Sequence, residues 1–202
     1  NIMNKQNPAD ISETDPVEGL APDLSDKNII IVRDSIRGKG GGDRTIESFA
    51  RILDAPIYTL RETTLIDSYD DLVVNEINKS SSPLTKLVHR AGLSRLLELP
   101  AIYTYQNWEP PRSADVVVTV GRHAQHVIHH PSQHRIHFFF TPPRWLWDLT
   151  HGQWDERNPL ARYFLYWYSS KIRNLDITSV HRFNKVVGGS ELVAKRIQTY
   201  YG

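Results

Sequence analysis

Short apolar runs alternate with stretches of helical spacing along most of this chain. Five runs predict buried strands, because a short apolar segment bounded by turn residues is typical of a strand covered on both faces. They lie at residues 28–33, 57–60, 116–120, 137–140 and 185–187.

Between these runs, apolar side chains recur at the spacing of an amphipathic helix. The first predicted helix begins at Asp43 or Arg44, directly after a run of glycines at residues 38–42. Further helices are expected over residues 83–91 and from residue 160 to about 173, the second of them rich in aromatic side chains.

This alternation predicts a Rossmann-like α/β fold, with a mostly parallel sheet flanked by helices. A chain of 202 residues is long enough for one such domain with its own core. Residues 1–26 are polar, contain three prolines and lack periodicity, so we expect a tail or arm there and the domain at residues 27–202.

The net charge, the cysteine count and the length of the apolar runs exclude several classes of protein. The net charge of +1 lacks the basic excess of a dedicated nucleic-acid binder. The chain has no cysteine, which excludes disulfides and suits a reducing compartment. No apolar run approaches the roughly 20 residues that span a bilayer. We therefore expect a cytoplasmic protein whose contact with the inner face of the membrane, where it occurs, is peripheral.

The glycine run is a candidate phosphate site. Gly40, Gly41 and Gly42 would let backbone N–H groups approach a phosphate, and the following helix would add the positive end of its dipole. The spacing fits neither a Walker loop nor the dinucleotide fingerprint. The alternative is a flexible surface turn, which glycine clusters also mark.

A Pro-Pro turn after residues 137–140 carries Arg144, Trp145, Trp147 and Asp148. Ligands of open α/β sheets bind beyond the carboxyl ends of the strands, so this turn is well placed to meet one. Arg144 can grip a phosphate, Asp148 can accept from sugar hydroxyls, and the tryptophans can stack on a sugar. Alternatively, Arg144 and Asp148 pair to pin the loop while the tryptophans fill the core.

Six histidines between residues 123 and 137 suggest a metal site at first sight. Their spacing with Asp or Glu completes no recognised ligand set, and solvated imidazoles are common. We expect neither a metal nor another cofactor.

Residues 140–148 read Phe-Thr-Pro-Pro-Arg-Trp-Leu-Trp-Asp. This stretch resembles the His-Thr-Pro-Met-Arg-aromatic-x-Trp-Asp stretch of bacterial and archaeal polysaccharide glycosyltransferases of the retaining family 4. Gly41-Gly42-Asp43-Arg44 is similar to their Gly-Gly-Ala-Glu-Arg turn after the first strand. Residues 176–202 share their closing strand, a helix with Val-Ala-x-Arg-Ile, and Tyr-Tyr-Gly; there Ser190 is expected to cap the helix and Arg196 to be solvated.

The resemblance implies one half of a two-domain enzyme of the B-type (GT-B) arrangement. The chain would be the N-terminal, acceptor-side domain, and the C-terminal domain, which binds most of the sugar nucleotide, would be missing. The whole enzyme would move a hexose from a nucleotide-sugar donor to a glycan or lipid-linked acceptor with retention, in polysaccharide biosynthesis. The isolated domain would be inactive.

The resemblance also implies roles for individual residues. Relatives line the cleft with the turn after the strand at residues 116–120, which here presents Arg122 and His123. Phe140 replaces the histidine usual in the family, so the function of that imidazole is lost. The implied sets are His123, Arg144 and Asp148 for catalysis, Gly40, Gly41 and Gly42 for the donor phosphates, and Arg122, Trp145 and Trp147 for the acceptor.

Two other interpretations stay open. The chain can be a stand-alone Rossmann-like module that binds a nucleotide or glycan, or a protein partner through Trp145, Trp147 and Trp154. The basic face of the helix at residues 83–91, formed by Lys86, His89 and Arg90, can rest on anionic lipid or be an ordinary solvated face.

Overall fold

The computed structural model describes residues 26–34, 40–60, 72–77, 98–148 and 159–202. Within these ranges the chain forms one sheet of six strands in the order β3-β2-β1-β4-β5-β6, and every neighbouring pair is parallel. The strands are β1 (Ile29–Arg33), β2 (Ile57–Thr59), β3 (Val74–Glu76), β4 (Val116–Val120), β5 (His134–Phe139) and β6 (Lys185–Gly188). The expected Rossmann-like α/β fold is therefore confirmed.

Within the described ranges, helices lie between β1 and β2, between β3 and β4 and between β5 and β6, as is usual for connections between parallel strands. They are α1 (Gly41–Ile52), α2 (Glu98–Gln106), the single turn α3 (Arg144–Trp147), α4 (Pro159–Val180) and α5 (Glu191–Tyr201), with a 3-10 helix at Ala124–His126. Within the described ranges, no helix combines the length and the apolar composition needed to cross a bilayer.

The core lies on both faces of β1 and β4. Side chains alternate between the two faces of a strand, so Ile31 packs with Ile46 of α1. On the other face, Ile30 packs with Tyr105 of α2. Both strands need apolar residues at consecutive positions because both of their faces are covered, which explains their continuous apolar runs.

Most predicted elements are present, with two additions. β5 begins at His134, three residues before the predicted start, because His134 pairs with Val116 of β4. The aromatic helix α4 continues to Val180 rather than ending near residue 173. β3 and α2 were not predicted, since three residues of strand and a helix with mixed polarity leave little periodic signal. The predicted helix at residues 83–91 and residues 1–25 lie outside the described residues.

The strand order reverses between β1 and β4, and ligands of open α/β sheets bind beyond the carboxyl ends of the strands at such a reversal. We call this side of the sheet the carboxyl edge. Arg33, Val120, Phe139 and Gly188 end their strands there, so the loops after β1, β4, β5 and β6 meet on one side.

Candidate functional site

Asp34 follows β1 directly, at the point where the strand order of the sheet reverses. Its carboxylate accepts hydrogen bonds from the backbone N–H groups of Arg122 (2.7 Å), His123 (2.8 Å) and Ala124 (2.7 Å). These N–H groups open the 3-10 helix after β4, and each hydrogen bond is strengthened by the negative charge of the acceptor. Asp34 therefore fixes the backbone of the loop that carries Arg122 and His123.

The side chains of Arg122 and His123 converge on Glu98, at the start of α2. A guanidinium nitrogen of Arg122 lies 2.8 Å from Glu98 Oε1, and His123 Nε2 lies 2.7 Å from Glu98 Oε2. Nδ1 of His123 lies 3.5 Å from Asp34 Oδ2. The imidazole thus faces a carboxylate at each nitrogen, and its contact with Asp34 is the longer of the two.

The N-terminus of α1 lies beside the loop after β5. Gly40 is the extended N-cap residue, and the helix begins at Gly41, two residues before the predicted start at Asp43. A Cβ on Gly42 would lie 3.3 Å from the ring of Phe140, whereas a Cβ on Gly41 would meet nothing within 4 Å. Phe140 therefore packs over the start of α1.

An ion pair between Arg33 and Asp43 joins the end of β1 to the first turn of α1. Arg33 ends β1, and Asp43 is a buried residue in the first turn of α1. The carbonyl oxygen of Arg33 also accepts a hydrogen bond of 2.6 Å from the Tyr105 hydroxyl. The cation at the end of β1 is thus matched by an acid from the first turn of α1.

Arg144 and Asp148 belong to a second group of charges, after β5. Arg144 Nε lies 3.5 Å from Asp148 Oδ2, and slightly more than half of the Arg144 side chain is exposed. Asp148 also accepts a hydrogen bond from the Tyr200 hydroxyl and faces Arg196 at 3.9 Å. Arg196, expected to be solvated, instead reaches back from α5 to Asp148 and to Thr141 Oγ1 (3.5 Å).

Trp147 is held by the structure on several sides. Its indole N–H donates to Asp176 Oδ2 at 3.1 Å, and its ring stacks on Tyr200 with centroids 5.1 Å apart. The Arg173 guanidinium lies 5.6 Å from the ring centroid. Trp147 and Trp145 are both partly buried against the core around Leu146, so the large exposed surface considered for a protein partner is not found at these two residues. Trp154 lies outside the described residues.

Asp176 of α4 links the loop after β4 to the loop after β5. This buried carboxylate accepts from Gln125 Nε2, which follows β4, from Trp147, which follows β5, and from the Tyr201 hydroxyl at 2.6 Å. Burial raises the pKa of Asp176 to about 6 despite these hydrogen bonds. Burial and, to a smaller extent, the charge of Asp176 raise the pKa of the Tyr201 hydroxyl. The hydroxyl therefore stays protonated and donates a hydrogen bond.

Three of the six histidines are packed inside the protein. Burial lowers the pKa of His126 to about 3, that of His129 to about 4 and that of His137 to about 3. His137 shares a hydrogen bond of 2.7 Å with Thr119, and His126 shares one of 2.5 Å with Ser179. In the part of the chain that the structure describes, no group of three or more His, Cys, Asp or Glu residues is arranged to hold a metal ion.

Sequence reasoning missed three residues that organise the carboxyl edge, namely Asp34, Glu98 and Asp176. Asp34 had a usable signal, because it is an acid directly after a buried strand. Glu98 starts a helix that itself was not predicted, and Asp176 lies beyond the predicted end of its helix.

Comparisons of this chain with protein-family models, curated proteins and solved structures found no match.

Proposed function

We propose that this chain is the N-terminal, acceptor-side domain of a retaining, two-domain glycosyltransferase. One observation carries the proposal. Three separate stretches of sequence, which contribute Gly40 to Gly42, His123 and Arg144 with Asp148, all follow strands that end at the carboxyl edge, beside the reversal of strand order. That is the side of an open α/β sheet on which ligands bind.

The candidate residues would have different roles in the transfer reaction. Transfer breaks the bond between the sugar C1 and the donor diphosphate, joins C1 to the acceptor oxygen on the same face, and passes the proton of the acceptor hydroxyl to the departing diphosphate. Arg144, whose side chain is half exposed, and the N–H groups at Gly41 and Gly42 would neutralise the leaving diphosphate. His123, oriented by Glu98, would position the acceptor hydroxyl. Most of the donor would bind to the second domain.

Two measurements test this proposal. Intact mass spectrometry or immunoblotting of the native gene product should find a protein of about twice this length, as a second domain of usual size requires. That product should transfer a hexose from a nucleotide sugar with retention, detected by NMR of the anomeric proton. A native product that ends at Gly202, or a full-length product without transferase activity on any nucleotide sugar, would contradict the proposal.

The alternative function is a binding module without catalysis, and one observation favours it. A pocket of about 380 Å³ is lined by Ile77, Tyr103, Thr104, Asn107 and Trp108. The rings of Tyr103 and Trp108 would suit the face of a sugar or a nucleobase, whereas the Thr104 hydroxyl and the Asn107 amide already donate to carbonyl oxygens of α2. Calorimetry on this chain separates the alternatives, because a module should bind a nucleotide or glycan in about the micromolar range, whereas half of a cleft should bind the donor far more weakly.

A further inference from the structure

Asp176, a buried carboxylate of α4, accepts hydrogen bonds from three segments that are far apart in sequence. Its Oδ1 accepts from Gln125 Nε2, which follows β4. Its Oδ2 accepts from the Trp147 indole N–H at 3.1 Å, after β5, and from the Tyr201 hydroxyl at 2.6 Å, at the end of α5. We call Asp176, Gln125, Trp147 and Tyr201 the Asp176 cluster. One carboxylate, whose residue is 1% exposed, therefore joins the loop after β4 to the loop after β5.

The cluster contains a buried acceptor that the fold leaves without a donor. Gln125 is 1% exposed, and its amide nitrogen donates to Asp176. Its amide oxygen Oε1, however, has no hydrogen-bond partner within the described ranges. A buried polar atom without a partner is unfavourable, so the amide should turn when a donor for Oε1 becomes available.

A proton on Asp176 would supply that donor. An ionised carboxylate only accepts hydrogen bonds, whereas a protonated carboxyl group has one O–H donor. Oδ2 already accepts from two donors, and one of them, the Trp147 indole, can only donate. The proton therefore belongs on Oδ1, where it faces the amide of Gln125. A half-turn of that amide exchanges its nitrogen for its oxygen and lets Oε1 accept the proton.

Burial brings this protonation into mildly acidic solution. It raises the pKa of Asp176 to about 6, although the hydrogen bonds from Tyr201, Trp147 and Gln125 and the charge of Arg122 all act to lower it. The carboxyl group is thus ionised in neutral solution and protonated at about pH 5, one unit below its pKa.

The other ionisable groups around Asp176 keep their charge over this range. Arg122, beside the loop after β4, and Arg173, three residues earlier on α4, are cations throughout. Burial lowers the pKa of His126, which hydrogen-bonds to α4, to about 3, so its ring stays neutral. Burial raises the pKa of Tyr201 on α5, and the loop after β5 contributes an indole, which does not ionise. Asp176 is therefore the member of this set that changes charge.

Loss of the charge on Asp176 weakens the link between the two loops. Hydrogen bonds to an ionised acceptor are roughly twice as strong as those between neutral groups. His123 lies two residues before Gln125, and Arg144 lies three residues before Trp147, so both candidate residues are close to the atoms that change. The fold as a whole does not weaken for this reason, because a buried charge is removed at the same time.

We propose that Asp176 is a positioning residue whose protonation turns the Gln125 amide and weakens the link between the loop after β4 and the loop after β5. The change itself stands independently of catalysis. Its effect on activity rests on the proposed function: transfer would slow in mildly acidic solution, because His123 and Arg144 are held less firmly relative to each other.

Nuclear magnetic resonance of the 202-residue chain tests the change without any substrate. The probes are the carboxyl carbon of Asp176, the indole N–H of Trp147 and the side-chain amide of Gln125. All three should shift with one common midpoint at about pH 6. The amide of Gln125 should show the largest change of the two N–H probes, because it alone exchanges its donor for its acceptor.

Asp176→Asn should fix the cluster in the arrangement of the protonated state. The asparagine amide can donate to Gln125 Oε1 while its oxygen accepts from Trp147 and Tyr201, so the variant should fold and the N–H probes should stop titrating. Tyr201→Phe should raise the midpoint, because it removes a hydrogen bond that favours the ionised carboxylate. Asp54→Asn is the matched control, since this exposed acid after α1 has a left-handed backbone that asparagine tolerates, and it should leave the midpoint unchanged.

The effect on activity is measured in the complete enzyme. The kcat of transfer should fall by about tenfold as the pH drops through the midpoint, on the scale of a misplaced catalytic group. The KM for the donor should change little, because most of the donor would bind to the second domain. Asp176→Asn should show the lower kcat already at neutral pH and a flat profile, whereas Asp54→Asn should follow the wild-type profile.

Three outcomes would overturn the proposal. They are probes that do not titrate between about pH 5 and 8, a titration that Asp176→Asn leaves unchanged, and an Asp176→Asn enzyme with the wild-type rate and pH profile. The first two need no donor sugar, so they leave the glycosyltransferase proposal standing. A common midpoint in a protein without transferase activity would support the role of Asp176 and contradict the proposed function alone.

Discussion

A Cβ on Gly121 would lie 2.7 Å from the carboxyl carbon of Asp34. Gly121 also has a φ of +114°, which side chains of L residues rarely adopt. Both facts follow from one requirement: the chain turns sharply after β4 so that three backbone N–H groups can converge on Asp34.

Gly121→Ala should therefore destabilise the fold by about 1–3 kcal/mol, the usual cost of a strained backbone position. Urea denaturation followed by circular dichroism measures this change. Gly41→Ala is the control, because its Cβ meets nothing within 4 Å and alanine favours a helix. If the two variants were equally stable, the tight approach of Gly121 to Asp34 would not exist in solution.

Stability should fall as the pH drops below about 6.5. His126, His129 and His137 have folded-state pKa values lowered to about 3, 4 and 3 by burial, so the unfolded chain binds their protons first. Each can cost up to about 1.4 kcal/mol per pH unit. Asp176 acts in the opposite sense between about pH 4 and 6, because burial raises its pKa to about 6.

Urea midpoints at about pH 7.5 and about pH 5 measure this dependence. His129→Phe should flatten the profile by the contribution of one histidine, since the ring at this position packs against Phe183. A wild-type stability that does not change between these two pH values would show that the three imidazoles are solvated.

Asp176→Ala should be strongly destabilising, by about 3–5 kcal/mol, because the buried donors of Gln125, Trp147 and Tyr201 would lose their common acceptor. Asn174→Ala, on the exposed side of the same helix, should change stability by less than about 0.5 kcal/mol. Equal effects of the two substitutions would mean that Asp176 does not link the loops after β4 and β5.

Arg144→Ala in the complete enzyme should lower kcat by about 10²-fold, on the scale of removing one transition-state donor. Its side chain is 55% exposed, so the thermal midpoint should hardly move. Arg182→Ala is the control, since that exposed residue lies in the turn that leads into β6, at the opposite end of the strands. A normal rate, or unfolding, would make Arg144 a structural residue.

Much of the scaffold was determined by local sequence. β1 and β4 were predicted because each buries both faces, which favours apolar residues at consecutive positions. The start of α5 was predicted because the cap is a local interaction, in which Ser190 Oγ accepts from Val193 N–H at 3.3 Å. Such signals survive in the sequence because the interacting residues lie within a few positions of one another.

The tertiary structure alone decided what surrounds the candidate residues. Asp34 and Arg122 are 88 positions apart, and Gln125 and Asp176 are 51 apart, so no periodicity could pair them. The roles of Glu98 and Asp176 depend on helices packing beside the sheet, and the exposure of Tyr163 and Trp167 depends on which face of α4 the core had already taken. The sequence by itself determined five of the six strands, because their apolar runs are a local signal. Burial and long-range hydrogen bonds decided which polar side chains the fold uses and which stay exposed.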